Sequence, residues 1–171
     1  SLSGSPNPSL YDTFLQCLTQ HTNPSAQLSN IVFANTNPKF PTVLENYIRN
    51  ARFNTSSTLK PLLIVTPLVE SHVQAAVICA KSVNVQLKIR SGGHDYEGIS
   101  YISQKPFILL DIFNLRTITV DIKNEVAVVQ AGATLGEVYY RISEKSKVHG
   151  FPAAVCPTVW RWWPYQRRRV R

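Results

Sequence analysis

The chain has 171 residues, 44% of them hydrophobic, which is enough for one core-forming domain or two small ones. Its net charge of +8 reads as a nucleic-acid signal until it is located: five arginines, Arg161, Arg167, Arg168, Arg169 and Arg171, crowd the C-terminal end, and without those five the charge falls to +3. No apolar run approaches the length of a bilayer span, the longest being the proline-broken PLLIVTPLV.

In chain order, SLYDTFLQCLTQH predicts an amphipathic helix. Ser9 is its N-cap, with Asp12 three residues on, and Leu10, Phe14, Cys17 and Leu18 share one face. A loop rich in Asn, Ser and Pro follows to about Phe40. PTVLENYIRNARF then has helical spacing, with Pro41 at the start, where its missing N–H does no harm. From Lys60 the pattern changes. PLLIVTP predicts a strand ended by Pro67. VESHVQAAVICAKSVN predicts a helix with Val73, Val77 and Ile78 on its buried side. QLKIR, FILLDI, TITVDI and EVAVVQAGA predict further strands, the last two joined by a hairpin turn at Lys123-Asn124. TLGEVYYRISEKS predicts a helix capped by Thr134 with Glu137 three residues later. Residues 59–159 therefore read as an α+β domain, preceded by a helical segment over 1–58 and followed by a basic tail over 160–171.

The three cysteines, Cys17, Cys79 and Cys156, are compatible with one disulfide plus one cysteine of separate use, or with three buried thiols. Asn54-Thr55-Ser56 is the only sequon. The chain begins at Ser1 and contains no methionine, which is compatible with a processed secretory leader.

Three stretches carry chemistry. RSGGHDYEG follows a strand directly, and Gly92 and Gly93 let successive N–H groups converge on an anion such as a pyrophosphate, with His94 beside it. A plain tight turn is the alternative. QAGATLGE is a second glycine-bearing turn, whose following helix N-terminus favours negative charge. HGFPAAVCPTV places Cys156 either as a buried small residue or as a nucleophile or attachment point.

RSGGHDYEGISY together with GFPAAVCPTV resembles the berberine bridge enzyme-like flavoproteins of plants, which have the vanillyl-alcohol oxidase (PCMH) type of FAD-binding domain. FLQCL, NPKFPTVLENYIRNARFNTS, KPLLIVTP, HVQAAVICAK and QAGATLGEVYYRI extend the resemblance almost from the first residue to Val159. It implies FAD bound covalently through His94 (to the 8α-methyl) and Cys156 (to C6). Arg90, Ser91, Gly92, Gly93, Asp95, Tyr96, Gly132 and Val155 would line the cofactor, the SGGHDY amides wrapping its pyrophosphate. Asp95 and Glu97 are expected to be loop residues rather than catalytic acids, and His21, His72 and His149 surface or structural. The resemblance also implies a Cys17–Cys79 disulfide, glycosylation at Asn54, and secretion to the cell exterior, wall or vacuole. The small Val159, close to the flavin edge that oxygen attacks, favours an oxidase. A monomer acting on a small-molecule substrate is expected, without metal, nucleic acid or membrane. The catalytic base and the substrate-binding sheet belong to a part of the family's polypeptide that this chain does not contain, so no catalytic residue is expected in it, and the fragment is expected to be inactive.

After Cys-Pro-Thr-Val the family continues Gly-x-Gly-Gly-His, whereas this chain has Trp160-Arg161-Trp162-Trp163-Pro164. Tryptophan has the single codon TGG, and one base later all three tryptophans become glycines at the family's three glycine positions. A frameshift at the Val159–Trp160 junction is the expectation. The alternative is a non-catalytic module whose basic-aromatic arm contacts nucleic acid or membrane.

Overall fold

The computed structural model describes residues 8–23, 28–159 and 168–169. Its helices are α1 (Leu10–His21), α2 (Phe40–Glu45), α3 (Glu70–Ser82) and α4 (Leu135–Lys145). Its strands are β1 (Val32–Ala34), β2 (Leu63–Val65), β3 (Gln86–Arg90), β4 (Phe107–Asp111), β5 (Ile118–Asp121), β6 (Val126–Val129) and β7 (Arg168–Arg169).

One sheet runs in the order β1-β2-β4-β3. β2, β4 and β3 are parallel, and β1 joins β2 antiparallel. The central strands are apolar up to Asp111, the last residue of β4, and bury both faces, as parallel strands covered on two sides must. Leu63, Val65, Ile108 and Leu110 point to a layer with Phe14 and Leu18 of α1 and Ala75, Ala76 and Cys79 of α3. The alternate residues Ile64, Phe107 and Leu109 meet Phe40 and Leu44 of α2, Phe33 and Tyr101. This period-2 alternation is what sorts the two layers. The disulfide Cys17–Cys79 ties α1 to α3.

A second sheet, β5-β6-β7, is antiparallel. α4 packs on it through Val138 and Ile142, against Ala127 and the flanking Ile118, Val120 and Val129.

The expected caps are present. Ser9 accepts from the Asp12 N–H, and Thr134 and Glu137 form a reciprocal capping box. Several expectations need correction. α2 ends at Glu45 rather than running through Phe53, and residues 51–53 form a separate single turn. β1 lies in what reads as loop, and since it pairs with β2, the segment before residue 59 is built into the same core. In α3 the small residues Ala75, Ala76, Cys79 and Ala80 face the sheet, while Val77 and Ile78 are about half exposed, because only small side chains let α3 approach both the sheet and α1. The tail is not wholly irregular: Arg168 and Arg169 pair with Ala127 and Val126. Its three tryptophans lie outside the described residues.

Candidate functional site

β3 and β4 end side by side, with Arg90 and Asp111 as partners on the last rung. Both side chains are fully buried, and Arg90 Nε donates to Asp111 Oδ2 at 2.8 Å. The same guanidinium donates to the carbonyls of Val43 and Leu44 in the last turn of α2. Burial pushes the Asp111 carboxyl upward, while the Arg90 charge and hydrogen bonds pull it down. The Arg90 side chain, expected at the cofactor, is thus spent inside the protein, joining α2 to the strand ends. Its place in the site is structural.

The loop after Arg90 carries the expected residues on one turn, buried from Ser91 to Gly93 and exposed at His94 and Tyr96. Ser91 is buried and donates from Oγ to the Ala131 carbonyl at 3.0 Å, tying this loop to the one before α4. Gly93 sits at φ +64°, which a side chain rarely tolerates. His94 is exposed. Asp95 accepts from the Ser100 N–H at 3.1 Å and from its hydroxyl, closing the loop. Tyr96 projects outward, 90% exposed. Asp95 therefore behaves as a loop-closing residue.

The segment 155–159 lies against this turn. His94 Nε2 is 3.0 Å from the Thr158 carbonyl, and Cys156 Sγ is 3.3 Å from the Thr158 hydroxyl. A carbonyl only accepts, so in the neutral ring Nε2 carries the proton and Nδ1 the lone pair. Cys156 is an exposed free thiol. Hydrogen bonds from the Thr158 side chain and backbone lower its pKa, with a smaller contribution from the Arg49 charge. Val155 is 95% exposed beside it, and Val159 is half-buried.

The second loop departs from expectation. The α4 N-terminus is occupied: Leu135 N–H donates to the Val159 carbonyl at 3.0 Å and Gly136 N–H to the Pro157 carbonyl at 2.9 Å. These amides hold the Cys156 turn and are not open to a phosphate, because carbonyl oxygens satisfy the helix end first. Gly132 is buried where a Cβ would come 2.2 Å from the Ile112 carbonyl oxygen. It permits close packing there.

A third participant gave no sequence signal. Between α2 and residue 53, Arg49 Nε reaches the Gly92 carbonyl at 3.5 Å and Asn50 Nδ2 donates to the Tyr96 carbonyl at 3.1 Å. The guanidiniums of Arg49 and Arg90 each lie over the Tyr47 ring, at 5.6 and 5.8 Å from its centroid. Of the remaining histidines, His72 accepts the Leu68 N–H within the structure, His149 pairs with Ser146, and His21 is exposed at the end of α1. Asn54 is exposed. No cluster able to hold a metal ion occurs among the described residues, and no helix there is long and apolar enough to cross a membrane.

Residues 61–159 match the family model of the FAD binding domain. Berberine bridge enzyme-like 21 of Arabidopsis thaliana is 64% identical over 152 residues, covering 88% of this chain and 28% of that protein. Berberine bridge enzyme-like 19 of the same plant is 62% identical over 158 residues, covering 92% and 28%. Among solved structures, wild-type Phl p 4, described as a glucose dehydrogenase, superposes with a TM-score of 0.78 at 43% identity, over 86% of this chain and 29% of that one. A cysteine-to-alanine variant of berberine bridge enzyme superposes with a TM-score of 0.75 at 35% identity, over 82% and 28%. The chain spans less than a third of each of these proteins.

Proposed function

The chain belongs to the FAD-binding domain family of the berberine bridge enzyme-like flavoproteins, and from that premise we propose that it is the cofactor-holding portion of a secreted flavin-dependent oxidase, inactive by itself. The observation that carries this reading is the convergence of His94 and Cys156 on Thr158. An imidazole with Nδ1 left as a nucleophile and a thiol held toward its thiolate are two groups able to bond one electrophilic ring. They stand where the left-handed turn at Gly93 meets the turn held by α4.

These residues fit a flavin. His94 and Cys156 would each form one covalent bond to it in place of a hydrogen, a two-electron oxidation in each case with oxygen as the acceptor, and the main chain of 91–96 would face its pyrophosphate. When bound, FAD supplies two-electron oxidation of a small alcohol, sugar or alkaloid-like substrate, with oxygen reduced to hydrogen peroxide. What this chain contributes is fixed position: Ser91 locks one turn to the other, Asp95 closes the loop, and the α4 amides hold the cysteine turn. Since the chain spans 28% of the length of its Arabidopsis relatives, substrate binding and proton removal are assigned in this reading to the longer polypeptide. Val159, with little bulk, leaves room for oxygen. In support, wild-type Phl p 4 is described as a glucose dehydrogenase and its isoleucine-to-valine variant as a glucose oxidase. Asn54, exposed in its sequon, would carry the glycan of a secreted monomer.

The test is flavin fluorescence on a denaturing gel. A chimera in which residues 1–159 replace the matching part of an Arabidopsis relative should show a fluorescent band, and the 171-residue chain alone little or none. A non-fluorescent chimera that folds would overturn the reading.

A further inference from the structure

We propose that Asn50 and Arg49 are positioning residues for the His94–Cys156 pair, clamping the loop from both sides of the histidine. Arg49 reaches the carbonyl of Gly92, two residues before His94, at 3.5 Å, and Asn50 binds the carbonyl of Tyr96, two residues after it, at 3.1 Å. His94 is exposed, and its ring has one hydrogen bond among the described residues, to the Thr158 carbonyl. An exposed ring on a glycine turn has many rotamers and loop states, and a reactive pair works only if both partners are held in place. The bracket removes that freedom without touching the ring.

The clamp has a rigid anchor. Arg90, fully buried, fixes the Val43 and Leu44 carbonyls at the end of α2, and its guanidinium also stacks on Tyr47. The Tyr47 carbonyl abuts Gly93, closing the same strip of contact. Asn50 is itself locked, since its Oδ1 accepts the Arg52 N–H at 3.1 Å while its Nδ2 serves Tyr96. Arg49 further places a positive charge near Cys156, favouring the thiolate. One short segment thus steadies the histidine loop and biases the thiol. The inference rests on His94 and Cys156 being the attachment points, but its test needs no flavin and so fails or succeeds separately.

Asn50→Asp keeps the Arg52 cap and replaces the donor to Tyr96 with an acceptor. Arg49→Gln removes the charge. Each would be made in the 171-residue chain, with folding checked by near-UV circular dichroism. The His94 ring would be read by its ¹⁵N shifts at about pH 8, where an ordinary histidine is neutral, and Cys156 by its iodoacetamide alkylation rate at neutral pH. The parent should show a single Nε2–H tautomer for His94. N50D should give a mixture of tautomers, and R49Q should slow alkylation by about twofold or more. Folded variants with the parent's spectrum and rate would overturn the assignment. If N50D does not fold, Asn50→Ser retains a capping oxygen but is too short to reach Tyr96, and should give the same mixed spectrum. Failure of both to fold would make Asn50 a folding residue and equally overturn it.

Discussion

Gly93 and Tyr47 are in contact so close that a Cβ on the glycine would sit 2.1 Å from the Tyr47 carbonyl oxygen. The left-handed φ of +64° adds to the same prohibition. Gly93→Ala should therefore destabilise the protein by about 2 kcal/mol or more, from backbone strain plus displacement of main chain. Urea denaturation measures this. A change within a few tenths of a kcal/mol, about the scatter of neutral surface changes, would contradict it.

The buried Arg90–Asp111 pair gives an asymmetric expectation. Arg90→Met strands the Asp111 carboxylate and should cost about 3–5 kcal/mol. Pairing it with Asp111→Leu should recover most of that loss, because no charge is then left buried alone. A double-mutant cycle by chemical denaturation decides the point, and equal losses in the single and double variants would count against it.

Glu137 sets an acid sensitivity. Burial raises its carboxyl, but the Thr134 N–H and hydroxyl together with Arg116 outweigh this and hold it below the ordinary carboxylate range. A lowered folded value means the contribution to stability is present at neutral pH and is lost as pH falls through that lowered value. Glu137→Gln keeps a capping side chain but loses the titration. The stability of the variant should fall less steeply than the parent's on the acid side, as pH-dependent melting would show.

Reduction of Cys17–Cys79 releases a loop of 62 residues and should cost about 4 kcal/mol in the chain-entropy model. Denaturant midpoints of the parent and a Cys17→Ala/Cys79→Ala variant give the comparison. Coincident midpoints would show that the α1–α3 contact needs no covalent tie.

The Cys156 thiol, held low by Thr158, should react below the pH range of an ordinary cysteine. Thr158→Val removes the hydroxyl bond and should move the alkylation profile to higher pH. An unmoved profile would assign the effect elsewhere.

What the amino-acid pattern conveyed was mostly local. Ser9 with Asp12, Thr134 with Glu137, and the Lys123-Asn124 hairpin all turn on residues a few positions apart, and each feature is present. Long-range geometry was silent. β1 is three residues in an Asn- and Pro-rich stretch and becomes a strand only because β2 offers it an edge. Arg90 reads as a site residue at the head of a glycine loop, yet its partner Asp111 lies on another strand and turns the side chain inward. The occupied N-terminus of α4 depends on carbonyls of Pro157 and Val159, which no spacing rule pairs with Leu135 and Gly136. Family resemblance supplied His94 and Cys156 as a pair; in the structure each reaches Thr158, one at its carbonyl and the other at its hydroxyl.

The most direct measurement is peptide mapping by mass spectrometry of the chimera carrying residues 1–159, purified with FAD. One species should contain the His94 peptide and the Cys156 peptide joined through a single flavin, reduced to a single link by His94→Ala or Cys156→Ala. A folded chimera whose two peptides both run at their unmodified masses would contradict the assignment of these residues as the flavin's points of attachment.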